Sequence, residues 1–194
     1  MSKILVTGGT GYIGSHTAVE LIEAGFDIAI VDNLSNSDIS VLDGIEKITG
    51  KRPVFEQIDL KDKSSLEAFF TKYQDIHSVL HFAAYKAVGE STEKPLAYYR
   101  NNVLSTLHLL ECMQDHQVPN LVFSSSCTVY GHPDRLPVDE NAPIKPPLSP
   151  YGSTKQMSER MICDATEANK HMRGISLRYF NPIGAHPSAL IGEL

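Results

Sequence analysis

A tyrosine and a lysine stand four residues apart in the segment SPYGSTK, Ser149–Lys155. Ser149 suits a helix N-cap and Pro150 the first helical position, so Tyr151 and Lys155 are predicted to share one helix face. A free phenol has a pKa near 10, too high for a base at neutral pH, and a nearby ammonium lowers it by roughly 1–3 pH units. The pair predicts a phenol that takes a proton from a hydroxyl group, although an ordinary surface pair would have the same sequence.

Three serines, Ser124, Ser125 and Ser126, close the apolar segment NLVFSSS. This segment is typical of a buried strand, and ligands of parallel sheets bind at the carboxyl ends of the strands. We therefore expect the Ser126 hydroxyl to hold the same substrate oxygen that Tyr151 deprotonates.

A glycine-rich segment, TGGTGYIGSH, follows the first apolar run and opens the first helical pattern. Gly8, Gly11 and Gly14 are spaced three apart, a variant of the dinucleotide fingerprint, in which missing Cβ atoms let the backbone approach a pyrophosphate at a helix N-terminus. A tight turn without a ligand is the alternative, but the position between a strand and a helix favours dinucleotide binding.

Acidic residues after the second and third strands point to the kind of dinucleotide. Asp32 ends the second strand about 20 residues beyond the glycines, where a carboxylate binds the adenosine ribose hydroxyls and would repel the extra phosphate of NADP. The residues Asn33–Ser37 contain no arginine for that phosphate. NAD is therefore the predicted cofactor; Asp59 is a candidate for the adenine end, with a helix cap as its alternative role.

Short apolar runs alternate with helical patterns along the chain, which predicts an α/β fold: a Rossmann-type, doubly wound parallel sheet with helices on both faces. The predicted strands are Lys3–Thr7, Asp27–Val31, Pro53–Ile58, Ser78–Ala83, Asn120–Ser126 and Ile175–Phe180. The predicted helices are Tyr12–Ala24, Ile39–Thr49, Lys63–Tyr73, Pro95–His116 and Pro150–Lys170. The proline-rich segment Gly131–Pro150 is predicted to be a long functional loop.

The composition excludes several classes of protein. The net charge of -6 without a Lys/Arg cluster argues against nucleic-acid and membrane surfaces, and no segment is apolar over the length of a membrane span. The 3 cysteines form no disulfide framework and the 8 histidines show no metal-ligand spacing. We therefore expect a reduced, cytoplasmic protein without a metal.

The sequence resembles the extended short-chain dehydrogenase/reductase superfamily and, within it, the UDP-glucose 4-epimerase family, also called UDP-galactose 4-epimerases. The resemblance runs along essentially the whole chain and lies in the segments VTGGTGYIGSHTAVEL, VDNLSNS, HFAAYKAVGES, KPLAYYRNNV, FSSSCTVYG, SPYGSTK and LRYFNPIGAHPS. Related dehydratases and decarboxylases carry acidic residues after the serine of the fifth strand. Here Cys127 and Thr128 stand at those positions, which favours epimerisation.

The resemblance implies a role for each matching residue. Its cofactor site comprises Gly8, Gly11, Tyr12, Ile13, Gly14, Asp32, Asn33, Asn36, Ser37, Asp59, Leu60, Phe82, Ala83, Ala84, Lys86, Asn101, Tyr151, Lys155 and Phe180. Its catalytic residues are Ser126, Tyr151 and Lys155, and its substrate contacts are Lys86, Ser126, Tyr151 and Asn181.

The reaction implied is the interconversion of UDP-glucose and UDP-galactose in galactose metabolism. NAD takes a hydride from C4, Tyr151 takes the O4 proton, and hydride returns to the other face of the 4-keto sugar. Family members continue into a smaller C-terminal substrate domain, so we expect residues 1–180 to be an NAD-binding domain and residues 181–194 to begin a truncated substrate-binding region. A chain of this length is expected to bind NAD but to turn over poorly or not at all.

Two alternatives stay open from the sequence. The first is another enzyme of the superfamily, such as an epimerase of UDP-N-acetylglucosamine, and the second is a non-catalytic NAD-binding module. The resemblance also implies a homodimer through a helix bundle formed by Pro95–His116 and Pro150–Lys170.

Overall fold

A computed structural model describes residues 2–193 and contains one sheet of six parallel strands. The strands lie in the order β3-β2-β1-β4-β5-β6, and all five neighbouring pairs are parallel. Their bounds are β1 Lys3–Thr7, β2 Asp27–Asp32, β3 Val54–Gln57, β4 Ile76–His81, β5 Asn120–Ser126 and β6 Arg173–Tyr179.

Helices connect successive strands. The α-helices are α1 Tyr12–Glu23, α2 Val41–Thr49, α3 Lys63–Lys72, α4 Val88–Glu93, α5 Pro95–Tyr98, α6 Leu104–Asp115 and α7 Pro150–Ala168. One π-helical turn, Tyr99–Val103, joins α5 to α6, and one 3₁₀ turn, Cys127–Tyr130, follows β5.

The sheet is doubly wound, because the chain builds it outward from β1 to β3 and then returns to add β4 to β6 on the other side. Adjacent residues of β1 show the two covered faces: Val6 packs with residues of α1 and α2, whereas Leu5 packs in a second core with residues of α3, α6 and α7. Alternating side chains of a strand point to opposite faces, so both faces require apolar residues. The prediction of a Rossmann-type α/β fold is confirmed.

The predicted helix Pro95–His116 corresponds to a continuous helical run from Pro95 to Asp115, in which the π-helical turn lies between α5 and α6. Lys94 leaves the helical conformation before Pro95, and α4 precedes it as a separate helix that the sequence analysis missed. The π-helical turn carries Asn101 and Asn102, both of which are buried. Extra residues of this kind occur frequently at functional sites.

Helix α7 begins where the sequence predicts. The Ser149 side chain accepts a 3.1 Å hydrogen bond from the Gly152 amide, and Pro150 occupies the first turn. This cap places Tyr151 and Lys155 on the first two turns, next to the carboxyl end of β5. Among residues 2–193, we find no helix with the length and apolar character needed to cross a bilayer.

Candidate functional site

A cavity of about 640 Å³ lies along the carboxyl edge of the sheet. Its wall includes residues at the ends of, or directly after, five strands: Gly8 after β1, Asp32 at the end of β2, Asp59 after β3, Phe82 after β4 and Ser126 at the end of β5. The chain changes direction in the sheet between β1 and β4, and such a switch point is where open α/β sheets bind ligands.

The glycine turn at one end of the cavity has no room for side chains. A Cβ atom on Gly8, which has a φ of +70°, would lie 2.6 Å from the Ala83 nitrogen, and one on Gly14 would lie 2.1 Å from the Gly8 oxygen. Gly11 is the N-cap of α1 and offers no side chain to the amides of the first turn. The turn therefore leaves these amides and the positive end of the helix dipole for an anionic group such as a pyrophosphate.

The Asp32 carboxylate organises the loop next to the glycine turn. It accepts hydrogen bonds from the Leu34 amide at 2.9 Å, the Thr10 amide at 3.3 Å and the Ser37 hydroxyl at 3.3 Å. Asn33 donates a 3.3 Å hydrogen bond to Asp59, so the two acidic residues are linked through one amide side chain. The carboxylates and small polar groups fit a ribose and an adenine, and they disfavour an added phosphate.

The other end of the cavity holds Tyr151 and Lys155, both of which are buried. The Lys155 ammonium donates a 2.7 Å hydrogen bond to the Ser124 carbonyl and lies 4.8 Å from the centroid of the Phe123 ring. Its distance to the centroid of the Tyr151 ring is 5.8 Å. Lysine and tyrosine therefore line one cavity, but the backbone of β5 is the direct partner of the lysine.

The pKa of Tyr151 differs from the prediction. Burial raises the pKa of the phenol above its usual value, the Ser126 side chain opposes this increase, and the Cys127 thiol adds to it. Burial also lowers the pKa of Lys155 to about 8, with Glu159 acting in the opposite direction. In the chain without a cofactor, burial therefore opposes the expected acidity of Tyr151, because a buried phenol loses the water that would stabilise its charged form.

Ser126 is oriented by the turn that follows it. Its Oγ atom accepts hydrogen bonds from the Thr128 amide at 3.2 Å and from the Thr128 hydroxyl at 3.0 Å. Since both contacts use the oxygen as an acceptor, the Ser126 proton can point to the Tyr151 oxygen or to a ligand in the cavity. Thr128, which the sequence analysis considered only as a replacement for an acidic residue, thus orients the predicted catalytic hydroxyl.

The structure brings nearly all predicted site residues into this one cavity. Phe180 is the exception, since it is 59% exposed and packs beside the Tyr130 ring, with the ring centroids 6.3 Å apart. The predicted residues in the cavity wall are Gly8, Gly11, Tyr12, Ile13, Gly14, Asp32, Asn33, Asn36, Ser37, Asp59, Leu60, Phe82, Ala83, Ala84, Lys86, Asn101, Ser126, Tyr151, Lys155 and Asn181.

Asn102 supports the wall of the cavity from outside its lining, a role that sequence reasoning missed. Its side-chain amide bonds both backbone groups of Tyr85, at 2.8 Å and 3.0 Å, and donates to the Thr154 hydroxyl at 3.0 Å. Asn102 thereby ties the loop after β4, which forms one wall of the cavity, to the first turn of α7. Its position in the doublet Asn101–Asn102 was the available signal.

The segment 181–193 contains no helix or strand and covers part of the cavity. The Tyr12 hydroxyl donates a 2.7 Å hydrogen bond to the Gly184 carbonyl, and Lys86 forms an ion pair with Glu193. Ile191 is buried against α2 beside Gly44. The segment is therefore anchored to the glycine turn, to the loop after β4 and to α2.

Comparison with known families and proteins gives a consistent result. Residues 4–193 match the NAD dependent epimerase/dehydratase family. The chain is 52% identical to the UDP-glucose 4-epimerase uge1 of Schizosaccharomyces pombe over 98% of its own length and 54% of that protein. It is 49% identical to the UDP-glucose 4-epimerase of Homo sapiens over 98% of its own length and 56% of that protein.

Solved structures agree with these sequence relatives. The UDP-glucose 4-epimerase from Bifidobacterium longum, in complex with NAD+ and UDP, superposes with a TM-score of 0.96 at 45% identity. That alignment covers 99% of this chain and 57% of the other. The chain thus spans a little over half the length of the proteins it resembles.

Proposed function

The chain belongs to the NAD dependent epimerase/dehydratase family, and on that premise we propose that it binds NAD and a UDP-sugar and interconverts UDP-glucose and UDP-galactose. Relatives at about half identity include several that are named UDP-glucose 4-epimerase. Because the chain spans only part of their length, both the activity and the substrates are proposals for this protein.

One observation carries the proposal: a single cavity contains the glycine turn, Asp32 and the group Ser126, Tyr151 and Lys155. The turn and Asp32 supply amides and a carboxylate for the pyrophosphate and the ribose of a dinucleotide. The three polar side chains meet at the far end, at the carboxyl end of β5. This arrangement supports chemistry on an alcohol carbon next to a nicotinamide.

The residues that would hold NAD fit it by their own geometry. Gly8 and Gly14 have no side chains, so the backbone of the turn is open to a pyrophosphate. The Asp32 carboxylate disfavours the extra phosphate of NADP. Lys86 and Asn101 also line the cavity. When bound, NAD supplies the acceptor for the C4 hydride of the sugar and the donor that returns it to the opposite face.

The proton is handled by the chain itself. Tyr151 takes the O4 proton as the alcohol becomes a ketone and gives it back as the alcohol re-forms, while Ser126 donates a hydrogen bond to O4. Because burial raises the pKa of Tyr151, the phenol is protonated in the free chain. It becomes a base only when positive charge, such as that of the oxidised nicotinamide, lies close to it.

The experiment is to purify the full chain, add NAD, and follow nicotinamide absorbance and sugar products after separate additions of UDP-galactose and UDP-N-acetylgalactosamine. Appearance of UDP-glucose from the first substrate, with loss of product formation in Tyr151→Phe, supports the proposal. Product from only the N-acetylated sugar would favour the alternative epimerase. Reduction of bound NAD by UDP-galactose with little or no product would agree with the poor turnover expected of this chain. NAD binding without reduction or product from either sugar would favour a non-catalytic NAD-binding module, and absence of NAD binding would contradict all three.

We further propose a homodimer through the helices within Pro95–His116 and Pro150–Lys170. Exposed apolar side chains on these helices support it: Leu96 on α5, Leu107 on α6 and Met157 on α7. Association of two chains would remove such apolar side chains from water. Leu107→Glu should convert a dimer to a monomer in light scattering, whereas Ile39→Glu, at another exposed apolar residue, should not; a monomeric parent chain would contradict the proposal.

We make two further proposals, on the domain division and on the cellular location. The division into an NAD-binding domain, residues 1–180, and the beginning of a substrate-binding region, residues 181–194, is supported by the position of Asn181 in the cavity wall at the end of the last strand. A cytoplasmic location is supported by the free thiols of Cys112, Cys127 and Cys163. Fractionation of cells that express the protein tests the location.

A further inference from the structure

Glu159 lies one helical turn beyond Lys155 on the same face of α7, and the proposed chemistry does not use it. Its side chain is only 10% exposed. Arg178 on β6 contacts it with two nitrogens, Nε to Oε1 at 3.0 Å and Nη2 to Oε2 at 2.8 Å. This paired geometry is the strongest form of an arginine–carboxylate contact.

Two further contacts extend the pair to the end of β5. Ser125 donates its hydroxyl proton to Glu159 Oε1, and Arg178 Nη1 donates a 3.0 Å hydrogen bond to the Tyr130 hydroxyl. The guanidinium carbon also lies 4.9 Å from the centroid of the Tyr130 ring. The network therefore joins α7, β5, β6 and the 3₁₀ turn that contains Thr128.

The register of the sheet explains why these residues meet. Ser125 and Arg178 are direct partners in the parallel pairing of β5 with β6. Side chains of paired residues project from the same face of a sheet, and here that face packs against α7. Ser125 stands between Ser124, the acceptor for Lys155, and Ser126, so a contact that fixes Ser125 also fixes its two neighbours in the candidate site.

The carboxylate also acts on Lys155 through its charge. The ionisable groups that face Lys155 are Tyr151 and Glu159 on α7 and His81 on β4, with Arg178 beyond Glu159. Burial lowers the pKa of Lys155 to about 8, and Glu159 is the group that raises it. Without this carboxylate the Arg178 charge would remain, and it would disfavour the ammonium form of Lys155.

We propose that the Glu159–Arg178 ion pair is a positioning element of the candidate site, which fixes the carboxyl end of β5 against α7 and supplies the negative charge that faces Lys155. Glu159 acts through Ser125 and Lys155 and is a positioning residue, not a catalytic one. The inference rests on the proposed function only for its consequence on turnover, since the contacts and the titration of Lys155 concern the chain alone.

The test is the titration of Lys155 in the full chain labelled with ¹³C at the lysine ε-carbons, with the signal assigned by its loss in Lys155→Arg. Glu159→Gln should move the Lys155 midpoint below the wild-type value, by about one pH unit, because it removes the carboxylate and leaves Arg178. Arg178→Met should move the midpoint upward, because the carboxylate then faces Lys155 alone. Asp164→Asn, which breaks the exposed Arg160–Asp164 pair on the same helix, is the matched control and should leave it unchanged.

The opposite directions separate this proposal from a purely structural role. A loss of packing would shift the Lys155 midpoint in the same direction in Glu159→Gln and in Arg178→Met. That result would overturn the proposal, as would midpoints equal to that of the Asp164→Asn control. If Glu159→Gln does not fold, the comparison of Arg178→Met with Arg178→Lys decides: only the first should raise the midpoint, and equal midpoints would contradict the account.

Turnover gives a separate consequence. With UDP-galactose, Glu159→Gln should lose activity at a lower pH than the wild-type chain on the alkaline side of its pH profile, because Lys155 loses its charge earlier. If neither the wild-type chain nor any variant reduces NAD or forms product with UDP-galactose, the proposed function fails, and the lysine titration, which needs neither NAD nor a sugar, still decides the inference.

Discussion

The Lys155 ammonium donates a hydrogen bond of 2.7 Å to the Ser124 carbonyl. This contact joins the second turn of α7 directly to the end of β5. This contact holds a charged group at a position that is almost fully buried. A buried ammonium loses its hydration, and one carbonyl and one ring replace that hydration only in part. The lysine is therefore expected to destabilise the chain at neutral pH.

The first prediction concerns this cost. Unfolded lysine holds its proton up to about pH 10.5, whereas folded Lys155 holds it only to about 8. Between these values the unfolded state binds more protons, so stability should rise with pH, by a total of about 3 kcal/mol from this group. Urea unfolding of Lys155→Met and wild type at pH 7 and above pH 10 should show the advantage of the variant shrinking by that amount.

Lys47→Met is the control for this measurement, because Lys47 lies on the exposed side of α2. The difference between that variant and the wild type should not depend on pH over the same range. A difference between Lys155→Met and wild type that is also independent of pH would contradict the lowered pKa of Lys155.

The second prediction concerns His81, which is buried between two threonines. Its ring nitrogens lie 2.7 Å from the Thr7 hydroxyl and 3.2 Å from the Thr106 hydroxyl. Burial, with a further contribution from the charge of Lys155, lowers its pKa to about 3. The unfolded chain binds a proton at this histidine below about pH 6.5, so the contribution to stability is present above that pH and is lost on acidification.

His81→Gln measures this loss by comparison. Between pH 6 and pH 4 the free energy of unfolding of the wild type should fall relative to His81→Gln by about 1.4 kcal/mol per pH unit. His171→Gln, at an exposed histidine, is the control, and its free energy of unfolding should change with pH as that of the wild type does. Parallel curves for His81→Gln and wild type would mean that His81 titrates normally in the folded chain.

The third prediction tests the glycine turn. Gly14→Ala should abolish NAD binding measured by calorimetry, because its methyl group would lie 2.1 Å from the Gly8 oxygen and the turn would have to open. Gly89→Ala places the same methyl group in open space on α4 and should bind NAD as the parent does. Full NAD affinity in Gly14→Ala would show that the turn is not part of the cofactor site.

The fourth prediction concerns the Tyr151 phenol. The difference in tyrosinate absorbance between the wild type and Tyr151→Phe should titrate above pH 10 in the free chain, since burial raises the pKa. Saturation with NAD should lower the midpoint, because the positive nicotinamide favours the phenolate. A midpoint below 10 without NAD would show that Lys155 alone makes the phenol acidic, contrary to the structure.

Short-range signals predicted the fold and the cavity well. The glycine turn, Asp32 and the Tyr151–Lys155 pair are each defined by residues close in sequence, and their local geometry follows from spacing, capping and missing side chains. The parallel arrangement of the strands also follows from apolar runs that need cover on both faces. Each of these features is determined by residues within one strand and the helix that follows it, so the sequence was enough to predict it.

Other features depend on distant residues and could not be predicted. The contact of Ser125 with Glu159 spans 34 residues, and that of Glu159 with Arg178 spans 19 residues. Both require the β5–β6 register, which spacing does not give. The raised pKa of Tyr151 in the chain without a cofactor was not predicted, because the extent of burial emerges only from packing.

A crystal structure of the chain with NAD and UDP tests the central claim most directly. The account predicts the pyrophosphate on the amides of the first turn of α1, the adenosine ribose on Asp32, and the nicotinamide at the end of the cavity lined by Ser126, Tyr151 and Lys155. A dinucleotide bound away from the glycine turn, or a nicotinamide that does not reach Tyr151, would contradict it.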